Sequence, residues 1–396
     1  MDYAKLSLIR EVARTRAGGV SRLLAATMMT ALVVIPASAN GNTVRIAVDK
    51  GFKVSASSNA PMAVRFEPEE CHQGLDGAKL ITARATRVGM DINGHATACR
   101  TVLMESPEPI RVGSKDYPGL MILARDGSGI TAVNHVDMED YIASVISSEM
   151  GSNWPLEALK AQAVASRTFA MYQMERSREA LYDMESTVRS QVYRGLYEGD
   201  RVKEAVDSTR GLIAVYDGAP AGTFYHSSSG GRTENPREVW GRERLPYLAS
   251  KPALFEERSP HFNWRLRLSA GEIRDKLKKA GFTTGSVISI EPVSFTSSGR
   301  VARLRLVLGP NKRKVELRGE YFRKIIGDTR LPSTKFRVAK DSSGAYTFIG
   351  QGYGHGVGMS QWSARGLADH GRGFEEIIQA FYPGVTIAPF GKQQNL

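Results

Sequence analysis

Cysteine is nearly absent from this chain, with two residues in 396. That excludes a disulfide framework, a four-cysteine zinc module and cysteine-held iron–sulfur clusters as the basis of the fold. Phosphate and dinucleotide loops are missing as well, because neither G-x-x-x-x-G-K-[ST] nor G-x-G-x-x-G occurs. No G-x-S-x-G elbow surrounds a serine, so the run His226, Ser227, Ser228, Ser229 is weak ground for a serine nucleophile. A zinc hydrolase built on His226 and His355 lacks H-E-x-x-H or comparable ligand spacing, and no metal or other cofactor is expected. No internal repeat is found. The one long apolar run, Leu23 to Ile35, falls short of the roughly 20 residues of a comfortable membrane span. Acidic residues are the scarcer charge, 41 against 53 Lys and Arg, for a formal net charge of +12.

What is present begins with an export pattern. Lys5, Arg10, Arg14, Arg16 and Arg22 precede the apolar run, and Ala37-Ser38-Ala39 fits a small-residue cleavage site. Residues 1–39 are therefore expected to be a signal peptide. An uncleaved anchor is the alternative and the only route to membrane contact. No cysteine stands at the cleavage point, which argues against a lipoprotein. In an exported chain Cys71 and Cys99 are expected to form one disulfide; His72 and His95 lie near them, but not at zinc-finger spacing. The chain beyond residue 39 carries about +9, with its basic residues spread along it and not gathered in one tail. An exported basic protein is drawn to anionic partners such as wall polymers, headgroups or acidic glycans, and export removes the usual nucleic-acid partner.

The densest local signal is GQGYGHGVGMSQW, Gly350 to Trp362, with glycines at 350, 352, 354, 356 and 358 around His355. Glycine weakens regular elements, so such a run implies sharp bends or close approach of the backbone to something else, and a large ligand would explain it. The second signal is a helix opening at Asp137, a fitting N-cap, with Asp140 favourably placed in its first turn. Glu149 lies three, four and seven residues after Ile146, Val145 and Ile142, on the apolar face. A carboxylate on a buried face is costly unless neutral or paired, and burial raises its pKa toward that of a general acid. The structural alternative is pairing with an arginine. Glu139 and Asp140 read as capping or solvated charges. A second helix starts near Pro155 and runs through EALKAQAVASRTFAMYQMERSREA, alanine-rich and so closely packed on both sides, with Gln162 and Arg167 its notable polar residues.

The remaining pattern is mixed. Residues 40–109 read as a β-rich region and 110–261 as the first part of a core, with a helix near 202–209 and a strand at Leu212 to Tyr216. Residues 262–348 change character, with alternating strands, a helix from Ala270 to Ala280 and many Arg and Lys; they read as an inserted α+β subdomain. Residues 349–396 complete the core with helices at 363–371 and 374–381.

In order, VDMEDYIASVISSEM, WPLEALKAQAVASRTFA, YDMESTVRSQVYRG, FYHSSSGGRTE and GQGYGHGVGMSQW resemble the stage II sporulation protein D (SpoIID/LytB) family from about Ile110 to Ile387. The resemblance implies an α+β fold with a SpoIID-like core whose helices carry a catalytic glutamate. Some members are lytic transglycosylases of peptidoglycan glycan strands; others are enhancers of wall amidases. It places the catalytic glutamate on Glu149 and its partner arginine on Arg167, and it associates Tyr225, His226, Ser228, Gly230, Gly231, His355, Ser360 and Gln361 with a substrate groove. The family often continues Gln-Tyr-Gly-Ala where this chain has Gln361-Trp362-Ser363-Ala364; the tryptophan keeps an aromatic surface for stacking a sugar. Direct pairing of Arg167 with Glu149 would depress the acid's pKa, so an indirect arrangement is expected. Gln162 is expected to touch substrate, and the glycines to let the backbone approach the glycan. The leading expectation is an exported periplasmic or wall-associated lytic transglycosylase acting on peptidoglycan. The alternative is a peptidoglycan-binding protein that enhances an amidase without cutting.

Overall fold

The computed structural model describes residues 43–71, 74–151, 153–187, 190–241 and 245–390. The expected signal peptide, its cleavage site and His72 lie outside the described residues. The fold is mixed α+β. All described residues belong to one compact unit.

A six-stranded sheet organises the first half in the order Met184–Glu185, Thr43–Gly51, Gly129–Asp137, Leu120–Asp126, Thr101–Glu105, Ala63–Glu67. Alternation along TVRIAV buries Val44 and Ile46, and Thr43 stands opposite Asp137. This sheet crosses the boundary drawn at residue 110, because the first strand finds its partner beyond it. The N-terminal β region and the first part of the core share one hydrophobic cluster. A second six-stranded sheet, from Lys53–Ser57 to Lys115–Tyr117, also spans that line. Cys71 and Cys99 form the expected disulfide with Cα atoms 5.1 Å apart, closing a loop worth roughly 3.5 kcal/mol in chain entropy.

Helix α1 (Met138–Glu149) starts where its cap requires: Asp137 Oδ1 accepts from the N–H groups of Glu139 (2.8 Å) and Asp140 (3.4 Å). Helix α2 (Leu156–Met174) follows Pro155 and buries alanines on all sides, including Ala158, Ala161, Ala163, Ala165 and Ala170. It ends before ERSREA. There Arg45 donates to the carbonyls of Ser177 (3.0 Å) and Ala180 (2.7 Å) and holds the chain in a turn. Helix α3 (Asp200–Ser208) and strand Leu212–Tyr216 follow, the latter pairing with Thr386–Pro389. Short helix α4 (Pro236–Trp240) has no periodic signal in so few residues.

The insertion has its own core around Leu268, Ile273, Leu277, Leu304, Phe322 and Phe348. It enters on strand Trp264–Leu268 and leaves on Tyr346–Gly350, paired so that Trp264 faces Gly350. Its two ends therefore lie side by side. It contains helices α5 (Ala270–Lys279), opened by a Ser269/Glu272 capping box, and α6 (Gly319–Ile326). Helices α7 (Gln361–Asp369) and α8 (Phe374–Phe381) then pack on α2.

Candidate active site

Two distant motifs meet in a short parallel pairing, Tyr225 opposite Met359 and His226 opposite Ser360. Ser360 caps α7, so Gln361 becomes its first residue and is buried at the C-terminal end of α1, facing Glu149. Glu149 is half-buried. Its Oε1 accepts the Val192 N–H at 3.0 Å. Burial pushes its carboxyl above the usual range; the Val192 N–H, the Gln361 amide and the charge of Arg194 pull the other way and do not cancel it. Gln361 Nε2 is a buried donor that completes no hydrogen bond of regular geometry, although it lies close enough to favour the carboxylate. That leaves a protonatable carboxyl at the surface with a spare donor beside it, an arrangement suited to giving and retrieving a proton.

A buried polar cluster adjoins this group. The Tyr141 hydroxyl donates to Gln191 Oε1 (2.6 Å), Gln191 Nε2 donates to the Ser166 carbonyl (3.2 Å), and Gln162 Nε2 donates to Ser166 Oγ (2.9 Å). Burial raises the pKa of both Tyr141 and Tyr225, and the charge of Glu149 adds to each shift. Arg194 N donates to Ser144 Oγ (3.3 Å), so the loop carrying Gln191 and Val192 is tied to α1. Gln162 and the Tyr225 hydroxyl thus sit in a layer behind the carboxyl. Gln162 is fully buried, which corrects its expected contact with substrate.

The glycine run has a different cause from the one expected. A Cβ at Gly358 would come within 1.9 Å of the Phe224 carbonyl oxygen, at Gly354 within 2.8 Å of His226 Cβ, and at Gly356 within 2.4 Å of Arg300. The alternate glycines lie against the protein's own FYHSSSGG segment and a buried arginine of the insertion, so the density reflects chain against chain. Other expected substrate contacts are also internal struts. Glu256, fully buried, accepts from Ser229 N (2.6 Å), Gly231 N (2.6 Å) and the Ser360 hydroxyl. Ser228 is buried and pairs through its backbone with Tyr353 (2.8 and 3.1 Å). Gly230 packs on Gln351 and its carbonyl accepts from Lys335 Nζ (2.5 Å). Ser228, Gly230, Gly231 and Ser360 therefore fix the two loops to each other. Arg300 donates to the carbonyls of Ser229 (2.8 Å) and Arg232 (3.1 Å), locking the insertion to the same loops.

His226 has both ring nitrogens engaged, by the Val357 carbonyl (3.1 Å) and Ser229 Oγ (2.7 Å). Half-buried His355 accepts the Val357 N–H on Nδ1 (3.0 Å) and packs against Trp240. Burial holds His226 well below its usual pKa and pushes His355 down to about 3, so both stay neutral. Among the described residues no three His, Cys, Asp or Glu side chains converge to hold a metal.

Arg167 is corrected most sharply. It is 1% exposed, and each guanidinium nitrogen is engaged: Nε and Nη2 by Glu139 (3.0 and 2.5 Å), Nη1 by the Leu212 carbonyl (2.9 Å). Gly211 N also donates to Glu139 (3.1 Å). The pair lies at the opposite end of α1 from Glu149, about 15 Å along the helix axis. Glu139, read as capping or solvated, is this arginine's partner.

Sequence reasoning missed Gln191, Val192, Glu256, Arg300, Trp154 and Arg365. Trp154 carried a signal as one of four tryptophans, five residues beyond Glu149, and Gln191 and Val192 stand inside the YDMESTVRSQVYRG block; the other three carried none. Its indole folds back on Gly151 and lies 5.0 Å from Trp362, with the Arg365 guanidinium over both rings at 5.2 and 5.1 Å. These rings are chain neighbours of the two residues that meet, Glu149 and Gln361, and form a half-buried aromatic and cationic surface of the kind that stacks sugars.

By sequence similarity the chain is a member of the SpoIID family. A family model described as stage II sporulation protein matches residues 126–216, and a domain of unknown function, DUF8618, matches 247–358, covering the insertion. The chain is 30% identical over 310 residues to an uncharacterized protein of Brachyspira hyodysenteriae, covering 77% of this chain and 81% of that one. It is 30% identical over 295 residues to the amidase enhancer of Bacillus subtilis (63% of this chain, 40% of that protein), and 29% identical over 275 residues to stage II sporulation protein D of the same organism (65% and 76%). It thus spans less than half of the amidase enhancer's length.

Proposed function

We propose that this chain is exported and cleaves peptidoglycan glycan strands by lytic transglycosylation, with Glu149 as its single acid and base. The observation carrying this reading is the setting of Glu149: a carboxyl raised by burial, with no second carboxylate among the described residues that act on it. Ordinary glycosidases use a pair of carboxylates, the second acting as nucleophile or activating water. One suffices when the sugar supplies its own nucleophile. Protonated Glu149 gives its proton to the glycosidic oxygen as the C1–O bond breaks. The C6 hydroxyl oxygen then bonds to C1, and its proton returns to Glu149. The products are a free 4-hydroxyl and a 1,6-anhydro-muramyl end, with no water consumed. Gln361 and the Val192 N–H steady the carboxylate form between the two transfers, and the Trp154–Trp362 surface offers the sugar a ring to lie on.

Mass spectrometry of glycans, peptide-stripped and intact, tests this. Anhydro-muramyl ends from the wild type, and at least about a hundredfold fewer from Glu149→Gln, are expected; reducing ends would mean hydrolysis. A second reading, favoured by the similarity to an amidase enhancer, has the chain binding peptidoglycan and stimulating a partner amidase. It predicts no cleavage alone and faster release of stem peptides when the amidase is added.

A further inference from the structure

The positive charge of this chain is concentrated in the insertion. Residues 262–348 hold nineteen Lys and Arg against seven Asp and Glu, a balance of +12 that equals the formal charge of the whole chain. The rest of the chain sums to zero, and without residues 1–39 it is slightly acidic. Basic residues that read as dispersed are therefore mostly excess in one subdomain.

Part of that charge is structural: Arg300 and Lys335 grip the core loops, and Arg267 pairs with Asp341 at 2.9 Å. Another part is not. In the sheet Trp264–Leu268, Tyr346–Gly350, Phe336–Lys340, residues directly opposite share a face. Leu266, Phe348 and Val338 align on the inner face. Arg265, Ile349 and Arg337 align on the outer one. Arg265 and Arg337 are exposed, with no acidic partner among the described residues, and Ile349 between them is 58% exposed. Two unneutralised guanidinium groups flanking an exposed isoleucine add nothing to the packing of the fold. They match a ligand that carries both negative charge and small apolar groups. The same strand runs directly into the Gly350–Trp362 motif.

We propose that this outer face docks the carboxylates of a peptidoglycan strand, holding the polymer on the insertion while the core acts on it. The choice of polymer rests on the function proposed above. Those carboxylates come from muramyl lactyl groups or from stem peptides, and lactyl or alanyl methyl groups would cover Ile349. Such docking is electrostatic and so weakens with salt.

The test is co-sedimentation of the full chain with purified sacculi. The variants are Arg265→Glu/Arg337→Glu, the milder Arg265→Gln/Arg337→Gln, and Glu149→Gln, with thermal unfolding as the check on folding. The double reversal is expected to weaken binding about tenfold or more, the neutral pair less, and Glu149→Gln not at all. Sacculi whose carboxylates have been amidated should retain little protein. Retention on peptide-stripped sacculi assigns the contact to lactyl groups, and on intact sacculi alone to stem peptides. Wild-type binding by the reversal variant, undiminished binding to amidated sacculi, or binding to anionic phospholipid vesicles but not to sacculi would overturn the proposal. Docking without cleavage would sink the catalytic reading and leave this one standing.

Discussion

The two ends of helix α1 each present a glutamate, ten residues apart, and the protein treats them oppositely. At the N-terminal end Glu139 takes a bidentate guanidinium and a backbone N–H, so Arg167 is neutralised and locked inside. At the C-terminal end Glu149 receives one backbone N–H, the neutral amide of Gln361 and only the more distant charge of Arg194. A carboxylate held by a guanidinium fork and a backbone N–H acts as a strut; one that is desolvated and underpaired can hold a proton and give it up. The difference separates the structural acid from the chemical one without reference to motif.

The largest effect that would break this comparison is on turnover. Glu149→Gln is expected to lower cleavage by about 10²–10⁴-fold, the span of general acid–base catalysis. It should also stabilise the fold. The folded pKa lies above the unfolded one, so ionising Glu149 costs stability; the cost is absent at pH below the unfolded carboxylate value and complete above the folded one. Denaturant midpoints should therefore rise in the variant at pH 7 and coincide with wild type in acid. An unchanged midpoint at pH 7 would mean Glu149 is ordinary. Next in size, Arg167→Met leaves Glu139 uncompensated and is expected to cost roughly 3–5 kcal/mol in urea unfolding, with turnover per folded molecule retained. A variant of normal stability and lost turnover would move Arg167 back into the chemistry.

The two ends were unequally legible. Asp137 as a cap and Glu149 on the apolar face follow from spacing within one helix, and the α+β class from short alternating strands mixed with helical runs. The Glu139–Arg167 pair depends on how α1 and α2 cross, which no local pattern encodes. The glycine run was visible, but its cause was not, because the backbone it touches is Phe224–Gly230, distant in sequence. The sheet that crosses residue 110 was hidden for the same reason: a strand's partner is a long-range fact. Glu256 and Arg300 stand in stretches with no periodic or motif signal, yet they hold the loops on which Gln361 depends.

A smaller effect sharpens the chemical end. Trp362→Ala and Arg365→Ala each strip one layer from the stack beside Glu149, and a loss of about tenfold in kcat/KM, mostly through KM, is expected if sugars lie there. A fall in kcat alone would instead mean that the stack positions Gln361.

The smallest effect concerns the neutral histidines behind the site. Burial holds His355 at about 3 against an ordinary 6.5, so the folded protein favours the uncharged ring. The sign follows: its contribution is whole above pH 6.5 and is lost as pH falls from there toward 3, because the unfolded chain takes up the proton first. His355→Asn keeps an acceptor for the Val357 N–H and removes the titration, so its stability should fall less steeply than wild type through that window. His226 remains and titrates in the same direction, and His355 is only half-buried, so the flattening is partial. An identical pH dependence in the two proteins would show that the acid sensitivity of this fold arises elsewhere, and that the neutral ring beside Trp240 is held by packing alone.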